Sequence, residues 1–140
     1  MFIYKNKNST KMKFYITTAI AYPNSSPHLG HALEIIQADV AARFYRLLGK
    51  DVFFQTGTDE HGIKNWQTAE KQGIDIKEFL NKNVAVFKEL YKKLNISHNL
   101  FIRTTDKKRH FKGCIKAVER TRKGRGHLQE AVQRALLQRL

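Results

Sequence analysis

Two short stretches of the chain hold most of the side chains that could do chemistry. Pro27-His28-Leu29-Gly30-His31 sets two imidazoles three residues apart, and Thr56-Gly57-Thr58-Asp59-Glu60-His61-Gly62 sets two adjacent acids beside another imidazole. At a helix start, imidazole N–H groups can meet phosphate oxygens where the helix dipole already favours negative charge. Two such donors aimed at a pentavalent α-phosphate stabilise charge that grows only in the transition state, and need no nucleophile or base. The plain alternative is that His28 is a loop residue and His31 a solvated residue of the first helical turn. Asp59 can hold an ammonium group, or it can cap the following helix with Glu60 in its first turn. A metal held by His28, His31, Asp59 and His61 is not expected: no two histidines have the four-residue helical spacing of a zinc metalloprotease, and there is one cysteine. No metal site is assigned.

These residues need elements that bring them together. Phe14-Tyr15-Ile16-Thr17-Thr18 is aromatic and β-branched and runs into Pro23, Asn24, Ser25, Ser26 and Pro27, which reads as a buried strand ending in a loop. From about Gly30 to Leu48 the period becomes helical, with Leu33, Ile35, Ile36, Val40, Ala41, Phe44, Leu47 and Leu48 at three- and four-residue spacings and Gly49 as the stop. Residues 51–56 form a second strand, interrupted by Gly57. The spacing predicts two more helices, over 64–72 and 76–94, and a short strand at Phe101-Ile102 leading into Arg103-Thr104-Thr105-Asp106. Strand, helix, strand in some 45 residues makes a βαβ unit with parallel strands. The fold class expected is α/β, a doubly wound Rossmann-like sheet, whose ligands sit beyond the carboxyl ends of the strands. Both polar stretches lie there.

Composition sets the outer bounds. The 140 residues make one ordinary domain, with 41% hydrophobic and 11% aromatic residues to build a core. The 26 Lys and Arg against 12 Asp and Glu leave a formal charge of +14, which speaks of partners rather than fold. Three of these charges lie net in residues 1–12, six in 13–112 and five in 113–140. More than half of the excess therefore sits at the ends. No run approaches the roughly 20 apolar residues of a spanning helix, so no membrane partner is expected. A single cysteine, Cys114, excludes an internal disulfide and fits a reducing compartment, so a cytoplasmic location is expected. Residues 1–12 read as a basic extension, and Met12 is an alternative start.

The run Thr18-Ala19-Ile20-Ala21-Tyr22-Pro23-Asn24-Ser25-Ser26-Pro27-His28-Leu29-Gly30-His31 resembles the first signature of the class I aminoacyl-tRNA synthetases, and Thr56-Gly57-Thr58-Asp59-Glu60-His61-Gly62 is typical of the methionyl-tRNA synthetases among them. The likeness covers residues 13–112, including Asp39, Arg43, Gly49 and the run from Phe101 to Asp106. It implies the N-terminal half of a nucleotide-binding catalytic domain, and a methionine–tRNA ligase that activates methionine with ATP (with Mg2+) and passes it to tRNA(Met). By the same resemblance His28 and His31 are catalytic and, with Gly30, bind ATP; Gly30 lies under the adenine. Ile20 and Tyr22 line the methionine pocket, Asp59 binds the ammonium group, and Asn24 and Pro27 shape the loop.

The 140 residues hold no Lys-Met-Ser-Lys-Ser signature, no cysteine-based zinc knuckle and no anticodon-binding bundle, so the family's zinc site is not expected here and activity should be impaired. An incomplete parallel sheet also exposes an apolar edge and face, from which aggregation is expected. Residues 113–140 depart from the family pattern. Codons can be chosen for 117–140 such that a one-nucleotide shift reads Trp-Asn-Glu-Leu-Glu-Lys-Ala-Gly-Asp-Ile-Tyr-Lys-Lys, much like the segment the family has there, so an out-of-frame tail is one reading. A genuine basic nucleic-acid arm of Arg120, Arg122, Lys123 and Arg125 is the other, with Leu128, Val132, Ala135, Leu136 and Leu140 at helical spacing. Two other functions stay open: a non-catalytic basic RNA-binding fragment, and a small nucleotidylyltransferase, whose related fold also carries a His-x-x-His pair.

Overall fold

The computed structural model describes residues 3–4 and 12–124. The chain divides into two units, residues 1–105 and 106–140. In the first, the elements run β1 (Ile3–Tyr4), β2 (Lys13–Thr17), α1 (Leu29–Leu47), β3 (Asp51–Thr58), α2 (Ile63–Lys71), α3 (Ile76–Lys93) and β4 (Leu100–Arg103). The sheet order is β1-β2-β3-β4, with β2, β3 and β4 parallel and β1 antiparallel on the edge. Three consecutive parallel strands joined by helices form one wing of a doubly wound sheet. The expected α/β class is what the structure has, with an antiparallel edge strand added to the parallel ones. Nothing in the polar stretch before Met12 signalled β1.

Side-chain alternation decides which face of the sheet is covered. Phe14 pairs with Val52 and Ile16 with Phe54, and these point to the helices. There they meet Ile35 and Ala42 of α1 and Phe87 and Tyr91 of α3 in one buried cluster. Burying an aliphatic or aromatic side chain of this size contributes about 1.5–3 kcal/mol. Tyr15 and Phe53, the next residues along, stack on the opposite face with ring centroids 6.0 Å apart and stay 49% and 44% exposed. Around these two rings that face of the sheet is open among the described residues.

Of the apolar residues that mark α1 as amphipathic, Ile35 enters the core while several others do not. Leu33, Val40 and Phe44 are 59%, 61% and 54% exposed, while Ile35, Asp39 and Ala42 are buried. A carboxylate can go inward because it is fully supplied with donors. Ser97 donates from its amide at 2.7 Å and from its hydroxyl, and Arg43 donates at 2.6 Å. Burial alone would raise the Asp39 pKa, but the bonds from Ser97 and Arg43 outweigh it and hold the carboxyl below its ordinary value. Arg46 ties the same loop down through the Ser97 carbonyl and the Asn99 side chain.

β3 runs unbroken through Gly57, where an interruption was expected. A Cβ at Gly57 would lie 2.1 Å from the Ile102 carbonyl oxygen, so the glycine lets β4 approach closely while the strand continues to Thr58.

The second unit begins with a π-helical turn, Lys107–Phe111, and continues as α4, Lys112–Gly124. Asp106 caps the turn by accepting the Lys108 and Arg109 amides at 2.9 and 3.1 Å. A helix over 113–124 was not expected. Ile115 and Val118 on it are more than half exposed. Arg125 and the proposed Leu128 to Leu140 stripe lie outside the described residues, as does most of the basic extension.

Candidate active site

The first loop leaves the carboxyl end of β2 and is fastened along its length. Ala19 donates its amide to Glu34 Oε1 at 2.7 Å, the Thr18 and Thr56 hydroxyls meet at 2.8 Å, and Asn83 of α3 donates to the Pro23 carbonyl at 2.8 Å. The Asp59 amide donates to the Ala21 carbonyl at 2.9 Å, extending the parallel pairing beyond β2. The Tyr22 ring lies where a Cβ on Gly62 would come within 3.2 Å. The two polar stretches of the sequence are therefore bound to one another at the sheet's carboxyl end, where the topology places a ligand site.

His28 is the N-cap of α1, and it shares a reciprocal capping box with His31. The Gly30 amide donates to His28 Nδ1 at 3.1 Å, and the His28 amide donates to His31 Nδ1 at 3.2 Å. Both bonds satisfy amides that the helix leaves without partners. The imidazoles stack at 3.8 Å between centroids, and His31 meets the edge of Phe87 at 5.3 Å. His28 is exposed and His31 half-buried. Burial, with the neighbouring His28, lowers the His31 pKa against the opposing pull of Glu34. No acidic residue lies in the first turn of α1, and Glu34, one turn on, lines the same cleft as His31.

The second loop is built differently. Glu60 is 4% exposed and its carboxylate is saturated: Arg103 Nε and Nη2 donate at 2.6 and 3.1 Å, Thr58 at 2.8 Å, and Thr105 at short range. Burial would raise its pKa, but the bonds from Arg103, Thr105 and Thr58 and the Arg103 charge prevail and lower it. Arg103 reaches on to Asn81 of α3 at 2.8 Å. The Glu60 amide donates to Thr104 Oγ1 at 2.7 Å, and that hydroxyl donates to Asp59 Oδ1 at 3.3 Å. Beneath the loop, the buried Asn65 amide donates to the Glu60 and Asp59 carbonyls at 3.0 and 3.4 Å. Glu60 is thus not a residue of the helix's first turn, nor does Asp59 cap α2, whose N-cap Gly62 has no side-chain bond. His61 Nε2 lies 3.2 Å from the Thr104 carbonyl oxygen.

Thr18, Ala19, Ile20, Ala21, Tyr22, His31, Glu34, Ile35 and Tyr91 line a cleft of about 180 Å3. Of the residues assigned from the sequence, Ile20, Tyr22 and His31 share this cleft. His28 joins it through its stack on His31, and Asp59 stands beside it through its backbone bond to Ala21 and its half-buried carboxylate. Gly30 is exposed, and the His28 ring stands where a Cβ on it would lie. Among the described residues no group of three or more His, Cys, Asp or Glu comes together in a way that could hold a metal ion, and no helix is long and apolar enough to cross a membrane.

Sequence reasoning missed Glu34, Tyr91 and Thr104. Glu34 was within reach, since it lies one turn beyond His31. Tyr91 is a core residue whose phenol pKa is raised by burial. The role of Thr104 depends on β4 lying beside β3, and only the parallel register of Thr58 with Arg103 reveals it.

The family described as tRNA synthetases class I (M) matches residues 14–137. The methionine–tRNA ligase of Brucella suis is 52% identical over 103 residues, covering 74% of this chain and 20% of that protein. That of Thermotoga maritima is 55% identical over 95 residues, covering 68% of this chain and 15% of its own length. The structure superposes on Mycobacterium tuberculosis methionyl-tRNA synthetase in complex with methionyl-adenylate with a TM-score of 0.66 at 52% identity, over 67% of this chain and 18% of that one. The chain thus spans about a fifth of the length of these relatives.

Proposed function

The chain belongs to the class I tRNA synthetases of the methionine type, and on that premise we propose that its cleft binds methionine and MgATP in the arrangement that forms methionyl-adenylate, the first half of a methionine–tRNA ligase reaction, with tRNA(Met) as the eventual acceptor. The observation that carries this is the placement of opposite chemistries on one sheet edge: N–H donors of a helix start at the end of β2, a carboxylate at the end of β3. An amino acid about to react with ATP needs both, an anion site for the phosphates and a cation site for its ammonium group.

His28 and His31 supply donors toward the α-phosphate, whose charge rises as the methionine carboxylate attacks and pyrophosphate departs. One well-placed donor to such charge is worth about 10²–10³-fold in rate. Asp59, held by Thr104, takes the ammonium group. Ile20 and Tyr22 flank the thioether side chain, and Gly30 lies on the adenine side. MgATP binds as substrate, with its metal carried on the phosphates.

Methionine-dependent exchange of pyrophosphate into ATP tests the reading. These 140 residues are expected to exchange slowly, because the Lys-Met-Ser-Lys-Ser segment is not among them. A version carrying the shifted frame after residue 112 is expected to exchange no slower. Failure of either protein to bind methionine or MgATP overturns the reading. The out-of-frame tail is a separate proposal, supported by pairwise likeness to relatives that extends over only 93 to 105 residues, although the family match runs to 137. Sequencing the transcript around codons 113–118 decides it, and an unshifted read rejects it.

A further inference from the structure

We propose that His28 and His31 lock each other, through the N-terminal amides of α1, into the tautomer with the proton on Nε2, and that Gly30 is glycine because the His28 ring occupies the space of its Cβ. This inference rests on the reading of the cleft as a phosphate site and names what prepares the two rings for it. A backbone N–H can only donate, so a ring nitrogen that receives one must carry a lone pair. Gly30 N–H meets His28 Nδ1 and His28 N–H meets His31 Nδ1. While both bonds hold, neither ring can carry a proton on Nδ1, and neither can be an imidazolium. The single ring proton of each sits on Nε2, a donor free of competition from its own helix.

The spacing then acquires a physical reason. His28 as N-cap and His31 as the third helical residue stand in the positions of the usual capping pair, so a three-residue separation is what lets each ring close on the other's surroundings. Stacking at 3.8 Å puts the rings face to face, and the edge of Phe87 packs on His31 at 5.3 Å. A Cβ on Gly30 would stand 2.9 Å from His28 Cε1 and 3.0 Å from Nδ1. A larger residue at 30 must shift the His28 ring that makes the capping bond. The lowered His31 pKa agrees with a ring that is kept neutral.

Magic-angle-spinning 15N spectra of the labelled chain read the tautomers directly, whether or not the chain self-associates. Above neutral pH both rings, assigned by their loss in His28→Asn and His31→Gln, are expected to show bare Nδ1 and protonated Nε2. A protonated Nδ1 on either ring overturns the proposal. His28→Asn and His28→Gln then separate capping from donation. An Asn oxygen reaches Gly30 N–H as the imidazole does, so hydrogen exchange at Gly30 is expected to stay within about twofold of wild type while MgATP binding weakens about tenfold or more. His28→Gln loses the cap, and Gly30 is expected to exchange faster. Equal exchange at Gly30 in all three chains overturns the lock. Absence of MgATP binding by the wild type removes the phosphate-site reading instead, and the spectra judge the lock independently.

Discussion

At the end of β2, two histidines stand exposed and half-buried, each fixed by one backbone amide and by the other's ring; at the end of β3, a carboxylate that is 4% exposed takes donors from three side chains on two strands and a loop. The difference teaches what each loop is for. Glu60 cannot meet a substrate, because every lone pair that faces the protein is used. Its work is to join β3 to β4 and α3, and to hand a fixed Thr104 to Asp59. Each histidine accepts a backbone amide at Nδ1. In the proposed function, the neighbours Asp59 and Glu60 of one motif divide ligand contact from scaffold.

The comparison breaks most visibly if Gly57 is changed. Gly57→Ala puts a methyl group 2.1 Å from the Ile102 carbonyl oxygen, so β3 and β4 must separate. Loss of cooperative unfolding in a urea titration is expected, with the second loop released; unchanged unfolding would show that the strands can spread at no cost. Glu60→Gln is next. It leaves the Arg103 guanidinium, 29% exposed in its side chain, without its counter-ion, and a stability loss of about 3 kcal/mol is expected. A loss below about 0.5 kcal/mol would place Glu60 among ordinary surface pairs.

Thr104→Val is expected to cost about 1–2 kcal/mol through the orphaned Glu60 amide and to weaken methionine binding, while Thr104→Ser restores binding. Equal binding by the Val variant would detach Thr104 from Asp59. The smallest effect is the pH response of the first loop. His31 has its folded pKa below the ordinary 6.5, so its neutral ring favours the fold. That contribution is fully present above about pH 6.5 and drains away as pH falls through the lowered value. Wild type should therefore lose stability on acidification from neutrality, and His31→Asn should lose less; equal losses would mean the ring is not kept neutral. Glu60 and Asp39, also lowered, act in a separate and more acidic window.

Much of this was legible in the sequence. Period and turn residues placed α1, α2, α3 and the three parallel strands to within a residue or two, because Gly, Pro or Asn lies near the ends of most of them. The two motifs could be assigned to strand ends for the same reason. Gly57 misled, because close approach of a neighbouring strand has no local signature. So did the hydrophobic pattern of α1: Leu33, Val40 and Phe44 are apolar yet exposed, while the charged Asp39, supplied with donors by Ser97 and Arg43, lies inward with Ile35 and Ala42. Long-range partners such as Ser97, Arg103 and Thr104 become visible only when register is known.

The central claim is that the first loop faces the phosphate and the second presents Asp59 to the ammonium group. Calorimetric titration of a stable methionyl-adenylate analogue into the wild type and Asp59→Asn tests it most directly. Binding by the wild type, weakened about tenfold or more by the substitution, is the expected result. Equal binding by both proteins, or none by the wild type, contradicts it.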